Sequence, residues 1–135
     1  MPETDPSADY HDRIETLAAR AERDREAFES PADPPAEERA LRYLREGAGP
    51  AIALYLEART GGDLVRFEPD AFAALEGAMN NWLELYAACY GTDIDAEFTV
   101  REAAEILVRT ENVRHTAEVL TKVPDREARP DGNAS

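Results

Sequence analysis

Few side chains in this sequence are of the types that hold metals or act as nucleophiles. The chain has two histidines, His11 and His115, and one cysteine, Cys89, and they lie far apart in the sequence. A zinc site needs three or four Cys, His or carboxylate ligands at close spacing, and a reactive cysteine needs an exposed, electropositive setting. We therefore predict no catalytic residue, no metal site and no cofactor, and we expect Cys89 to be a small buried hydrophobic side chain.

An acidic segment, residues 93–97, alternates carboxylates that could hold a hard cation. Asp93, Asp95 and Glu97 are separated by single residues. An EF-hand loop beginning at Asp93 would need glycine at its sixth position and glutamate at its twelfth, where this sequence has Phe98 and Ala104. The segment is therefore predicted to be a solvated loop, with weak cation binding as the alternative.

One long apolar stretch predicts the helix that positions the rest of the domain. Residues 70–90 carry two neighbouring apolar stripes at helical spacing and only a narrow polar strip that includes Glu76, Asn80 and Glu84, and Gly91 follows. A helix that is apolar over most of its circumference is buried. Since the remaining periodic segments are also helical, we predict an all-α fold, an irregular bundle of five or six helices around this central helix.

Three aromatic residues share one face of the predicted central helix. Trp82, Tyr86 and Tyr90 recur every four residues, which places them one above another. Aromatic side chains at such spacing fill the core, or they form a groove or dimer face, because aromatic residues dominate interface energetics. We keep both interpretations, and these residues are our candidates for a protein-interaction site.

The ends of the chain are predicted to be disordered, so we expect a single helical domain over residues 10–123. Residues 1–9 form an acidic tail, and residues 124–135 are rich in proline and polar side chains, a composition that cannot bury a core. In the first helix, charges of opposite sign three or four residues apart, Arg20 with Asp24 and Glu22 with Arg25, predict surface ion pairs.

Proline and glycine predict the breaks between the next helices. Asp33 is a suitable N-cap for a second helix, and the two prolines that follow it suit a first turn. Gly47 or Gly49 is expected to end that helix, and Pro50 to begin a third. Residues 64–67 are predicted to be extended or a short strand.

Charge is the strongest signal in the composition. The chain has 29 acidic and 15 basic side chains, a formal net charge of −14, and Lys122 is its one lysine. Molar salt shortens electrostatic screening to about 3 Å, so closely spaced carboxylates are tolerated. The composition resembles that of small, acidic, uncharacterised proteins of haloarchaea, a likeness that implies no activity. The single cysteine fits a reducing compartment, the start of the chain lacks a targeting signal, and the longest apolar run, residues 51–56, is too short to span a membrane. We expect a cytoplasmic protein.

A segment near the C-terminus, residues 99–122, resembles the helix-turn-helix of excisionase- and MerR-like DNA-binding domains. The likeness lies in Thr99-Val100, Glu102-Ala103-Ala104-Glu105 and Leu107, a helix with a capping box and paired alanines. The resemblance implies that the next helix, from about Asn112, enters the major groove with Arg114, His115 and Lys122 as contacts. The sequence departs from the family at residues 108–110, where Val-Arg-Thr replaces the usual glycine, hydrophobic residue and serine.

The leading functional hypothesis is a non-enzymatic, helical protein-interaction module of a halophile, binding a protein partner or a second copy of itself. It is based on a well-formed core without recognisable catalytic, metal or phosphate-binding motifs. The alternative is a DNA-associated regulator that uses residues 99–122. Since residues 99–122 carry equal numbers of basic and acidic side chains, and DNA affinity comes mainly from phosphate neutralisation, we place this alternative second.

Overall fold

The computed structural model describes residues 6–60 and 67–124. Within them the prediction of an all-α fold is confirmed, because every regular element is helical. In chain order these are α1 (Pro6–Ala27), α2 (Glu37–Tyr43), a single π-helical turn (Leu44–Ala48), α3 (Gly49–Thr60), α4 (Pro69–Cys89), α5 (Val100–Thr110) and α6 (Val113–Thr121). No helix in these two ranges is both long enough and apolar enough to cross a membrane.

Helix α4 is the predicted central helix, within one residue of its expected limits. It packs against α1, α2, the π-helical turn and α3, and it also contacts α5 and α6. Its side chains supply the largest part of the core, with Leu75, Met79 and Leu83 at most 1% exposed. Gly91 follows it with a φ of 79°, a left-handed conformation that favours glycine and ends a helix.

The third helix begins within one residue of the predicted Pro50, but the predicted break before it is a π-helical turn. Helix α2 begins after Ala36 rather than after Asp33, and the Ala36 amide donates to the Cys89 carbonyl at 2.8 Å. Neither Gly47 nor Gly49 ends the helix, because α2, the π-helical turn and α3 form one helical run. The amide of Gly49 donates to the Leu44 carbonyl, the five-residue spacing of a π-helical bond.

The reason for the two glycines is close packing rather than helix termination. A Cβ built on Gly47 would lie 2.5 Å from Cε2 of Trp82, much nearer than carbon atoms pack. A Cβ on Gly49 would lie 2.8 Å from the Leu44 carbonyl oxygen. Glycine therefore allows the helical run to pass directly over the Trp82 ring.

Helix α1 begins at Pro6, inside the segment predicted to be a tail, because proline is tolerated in the first turn of a helix. The guanidinium group of Arg13 holds α1 to α3 through two hydrogen bonds to the Glu57 carboxylate, at 2.9 and 3.0 Å. These bonds hold the pKa of Glu57 below its usual value. Residues 1–5, 61–66 and 125–135 lie outside the described ranges, and with them most of both predicted tails and the extended segment up to Arg66.

A polar ladder on α4, formed by Glu76, Asn80 and Glu84, holds the chain that leads into α5. The Glu84 carboxylate accepts from the Ala96 amide at 2.9 Å, and the Glu76 carboxylate accepts from the Val100 amide at 3.0 Å. Between them, the side-chain amide of Asn80 donates to the carbonyl of Phe98 and accepts from its N–H, both at 3.0 Å.

The spacing of the polar ladder matches the chain that it holds. Four residues of an α-helix rise about 6 Å, and two residues of extended chain span about 6.6 Å. One ladder residue per helical turn therefore meets every second residue between Ala96 and Val100. Helix α5 then begins at the predicted capping box, in which Thr99 and Glu102 satisfy each other's backbone amides.

Candidate binding site

The aromatic face of α4 lies in the core. Trp82 and Tyr86 are 0% exposed. These two side chains therefore fit the interpretation as core residues and not the one as a groove or dimer face. Trp82 donates through Nε1 to the Asp24 carboxylate at 2.9 Å, and the Tyr86 hydroxyl donates to the Val123 carbonyl at 2.6 Å. Burial raises the pKa of Tyr86. Tyr90 is half-buried, with its ring edge-on to that of Tyr86 at 5.3 Å between centroids.

The three candidate DNA-contacting residues lie along α6 and its C-terminal end, in different settings. Arg114 is close to two carboxylates, at 3.7 Å from Glu37 on α2 and 3.4 Å from Glu118. His115 is exposed, and its backbone amide donates to the Asn112 side chain that caps α6. Lys122 is exposed just after the helix, with a φ of 60°. Of these three residues, Arg114 is therefore engaged within the protein.

The remaining polar candidates are spread over the molecule. Cys89 is buried, as predicted, and burial raises the pKa of its thiol. No group of three or more His, Cys, Asp or Glu side chains lies close enough to hold a metal ion in residues 6–60 and 67–124. Asp93 and Asp95 border a cavity of about 550 Å³ that Arg25 also lines, so a guanidinium group shares the space in front of the acidic loop.

A groove between α3 and α5, which we call the α3–α5 groove, combines an apolar floor with an exposed apolar edge. It has a volume of about 410 Å³, within the range of ligand-binding clefts. Its apolar residues come from one face of each helix and are Tyr55, Leu56, Ala104 and Val108. Val108 is 60% exposed and Val119 47%, and these are the two large hydrophobic side chains that are exposed in the described ranges.

Charged groups occupy the rim of the α3–α5 groove. The guanidinium group of Arg59 lies over the Tyr55 ring, 5.7 Å from its centroid. Arg101 lies 3.5 Å from Glu105 in an exposed i, i+4 pair, which contributes little to stability. The groove therefore offers apolar surface beside Arg59 and beside the Arg101–Glu105 ion pair.

Residues 8–125 match the family model of a domain of unknown function, DUF8055. The chain belongs to the DUF8055 family. No match was found among curated proteins or among solved structures.

Val108 of this DUF8055 chain lies at helical spacing with Val100 and Ala104, a spacing that predicts a common buried face, but it is exposed. Val100, Ala103 and Ala104 on the same stripe are buried, at most 2% exposed. Helix α5 packs against α3, α4 and α6, and its last turn leaves Val108 exposed. The one available sequence signal is the length of the apolar stripe, which continues for a turn beyond the paired alanines.

Proposed function

We propose that this DUF8055 protein is a non-enzymatic protein-binding module and that the α3–α5 groove receives an apolar segment of its partner. The observation that carries the proposal is the exposure of Val108, 60%, beside a groove with an apolar floor. Exposed apolar surface that is continuous with a concave floor is typical of interaction sites. It replaces Trp82 and Tyr86 as the place where a partner binds.

The rim of the groove defines the chemistry of the partner. Arg59 flanks the apolar surface and has no carboxylate within 4.0 Å in the described ranges, so the segment that fits has an apolar side chain with a carboxylate beside it. Burying the exposed part of a valine contributes roughly 1–2 kcal/mol, which corresponds to about a tenfold change in affinity. Val108 is therefore the side chain whose replacement should weaken binding most.

The test compares the two exposed valines. A photo-crosslinking amino acid is placed at Val108 and, in a matched variant, at Val119, and cross-linked products are identified by mass spectrometry. We expect a specific product from position 108 alone, and we expect Val108→Asp to weaken the identified complex about tenfold while Val119→Asp leaves it unchanged. A cross-link to a second copy, with a dimer mass in sedimentation, would make the partner this chain itself. Equal products from both positions would refute the proposal.

DNA binding through residues 99–122 is the second candidate, favoured by the capping box of α5 and the Asn112 cap of α6. The neighbourhood of Arg114 opposes it, because Glu37 and Glu118 compete with phosphate for that guanidinium group. Fluorescence anisotropy with a labelled duplex tests it directly. Binding that Lys122→Gln weakens, with a salt slope reduced by about one, would support the DNA alternative, and no change in anisotropy would eliminate it.

We also propose that the protein is a cytoplasmic protein adapted to high salt. The net charge of −14 and the single lysine support the adaptation, and the single free cysteine supports the compartment. Helicity should fall as salt is lowered from molar to about 0.1 M, where screening lengthens to about 10 Å. Circular-dichroism melts over that range provide the measurement, and a melting temperature independent of salt would contradict the adaptation.

A further inference from the structure

A second concave surface, which we call the arginine crevice, lies between α1, α2 and the π-helical turn. Arg20 and Arg23 on α1 and Arg39 and Arg42 on α2 line it, and its volume is about 490 Å³. It shares no lining residue with the α3–α5 groove. Each helix contributes two arginines three residues apart, a spacing that puts both side chains on the same helical face.

Seven of the eleven arginines within residues 6–60 and 67–124 have no carboxylate within 4.0 Å, and four of those seven line this one crevice. Arg13, Arg25, Arg101 and Arg114 each lie within 4.0 Å of a carboxylate. Within residues 6–60 and 67–124, none of the four crevice arginines has a carboxylate that close. In a chain with 29 acidic and 15 basic side chains, four such cations around one cavity need an explanation.

Two of the arginines are held in place by neutral groups. Arg20 donates to the Glu46 carbonyl at 2.7 Å, and its guanidinium group lies 5.9 Å from the centroid of the Trp82 ring. Arg39 donates to the Glu29 carbonyl at 2.8 Å, and its Nε is buried without a hydrogen-bond partner in the described ranges. Both side chains are thus positioned without a carboxylate within 4.0 Å in the described ranges.

The other two arginines are free to reach a ligand. Arg23 and Arg42 are exposed. Neither side chain donates a hydrogen bond within the described part of the chain, whereas Arg20 and Arg39 each donate one to a backbone carbonyl. Two fixed guanidinium groups and two adjustable ones therefore surround the same space.

We propose that the arginine crevice binds a small ligand bearing phosphate groups. Guanidinium groups form paired hydrogen bonds to phosphate oxygens, and these charge-assisted bonds are among the strongest in proteins. Asp24 and Glu46 also line the cavity, which leaves four positive against two negative side chains. The Asp24 carboxylate accepts from Trp82 Nε1 at 2.9 Å, so it has a partner of its own.

The size and the surroundings of the crevice favour a small ligand over a polymer. A volume of about 490 Å³ lies in the range of small-molecule sites. The net charge of −14 repels a long polyanion that must approach the whole surface.

The experiment measures pyrophosphate binding by isothermal titration calorimetry and by thermal shift, with sodium chloride at matched ionic strength as the reference. The test variant is the double replacement Arg23→Gln and Arg42→Gln, and the control is Arg109→Gln, which removes an exposed arginine outside the crevice. We expect saturable binding to the wild type and to the control, and at least a tenfold weaker Kd for the double variant.

Stability of the unliganded protein separates binding from folding. Because Arg23 and Arg42 are exposed and form no ion pair within the described residues, their replacement should change the free energy of unfolding without ligand by no more than about 0.5 kcal/mol. Absence of saturable binding up to about 10 mM pyrophosphate, or an equal loss of binding in Arg109→Gln, would overturn the proposal. Tighter binding of a single-stranded oligonucleotide than of pyrophosphate would also overturn it, in favour of a nucleic-acid backbone.

Discussion

Replacement of Gly47 by alanine tests whether close packing, rather than helix termination, explains this glycine. In an unhindered helix the change stabilises by up to about 1 kcal/mol, because alanine loses less backbone entropy. Here the new Cβ would lie 2.5 Å from Cε2 of Trp82, and the ring cannot move away because it is 0% exposed. Overpacking typically costs about 1–3 kcal/mol and at times more. We expect Gly47→Ala to lower the free energy of unfolding by roughly 1–3 kcal/mol.

Gly77 provides the matched control. It lies in the middle of α4, is exposed, and a Cβ built on it meets no atom within 4 Å. Gly77→Ala should therefore stabilise by about 0.5–1 kcal/mol. Urea unfolding followed by Trp82 fluorescence gives both values at one salt concentration, and for a chain of this size the melting temperatures should differ by roughly 6–15 °C between the two variants.

Equal stabilisation of both glycine variants would refute close packing between Gly47 and the Trp82 ring. A second check is coupling between the two sites in contact. Trp82→Phe shrinks the ring beneath Gly47, so the double variant should lose less stability than the two single changes together, by about 0.5–3 kcal/mol. Because Trp82 is the one tryptophan, unfolding of these variants is followed by circular dichroism. Strict additivity would mean that the methyl group added by Gly47→Ala does not meet the Trp82 ring.

Three further outcomes follow from hydrogen bonding and burial. Asn80→Asp should destabilise the protein by about 1–3 kcal/mol in a urea titration, because a carboxylate cannot donate to the Phe98 carbonyl. Asn81 accepts a hydrogen bond from a guanidinium group, so the control Asn81→Asp should be neutral. Tyr86→Phe should cost about 1–3 kcal/mol by leaving a buried carbonyl unpaired. Burial raises the pKa of Tyr86 in the native state, so the wild type should lose stability above about pH 10, where the phenol ionises in the unfolded chain. Tyr86→Phe should lose less stability over the same range. Equal slopes of unfolding free energy against pH in the two proteins would contradict this. Cys89, whose thiol pKa is raised by burial, should react with a disulfide reagent at least a hundredfold faster in urea than in the native state.

Features that depend on one segment could be predicted from the sequence. The limits of α4 follow from its apolar circumference, and the start of α5 follows from Thr99 and Glu102, which are three residues apart. The burial of Cys89 follows from its position on an apolar stripe. In each case the residues that determine the structure lie within two or three helical turns.

Features that depend on contacts between distant segments could not be predicted from the sequence. The local charge pairs predicted along α1 do not form: Arg25 instead lies 2.7 Å from Glu84 on α4, and Arg20 covers Trp82. Gly47 was assigned to a helix end because its neighbour across the core is 35 positions away in the sequence. The groove and the crevice have the same origin, since each is formed by helices whose mutual packing no local pattern specifies.

The polar ladder on α4 has a consequence for how the surface of this protein can change. Glu76, Asn80 and Glu84 bind backbone amides and a carbonyl, groups that every residue except proline provides in full. The side chains of Asp95 and Glu97 are exposed and take no part in that recognition. Substitutions of Asp95 and Glu97 leave the backbone hydrogen bonds of the polar ladder intact. The charge of this segment can therefore change with the salt concentration of the medium while the fold is kept.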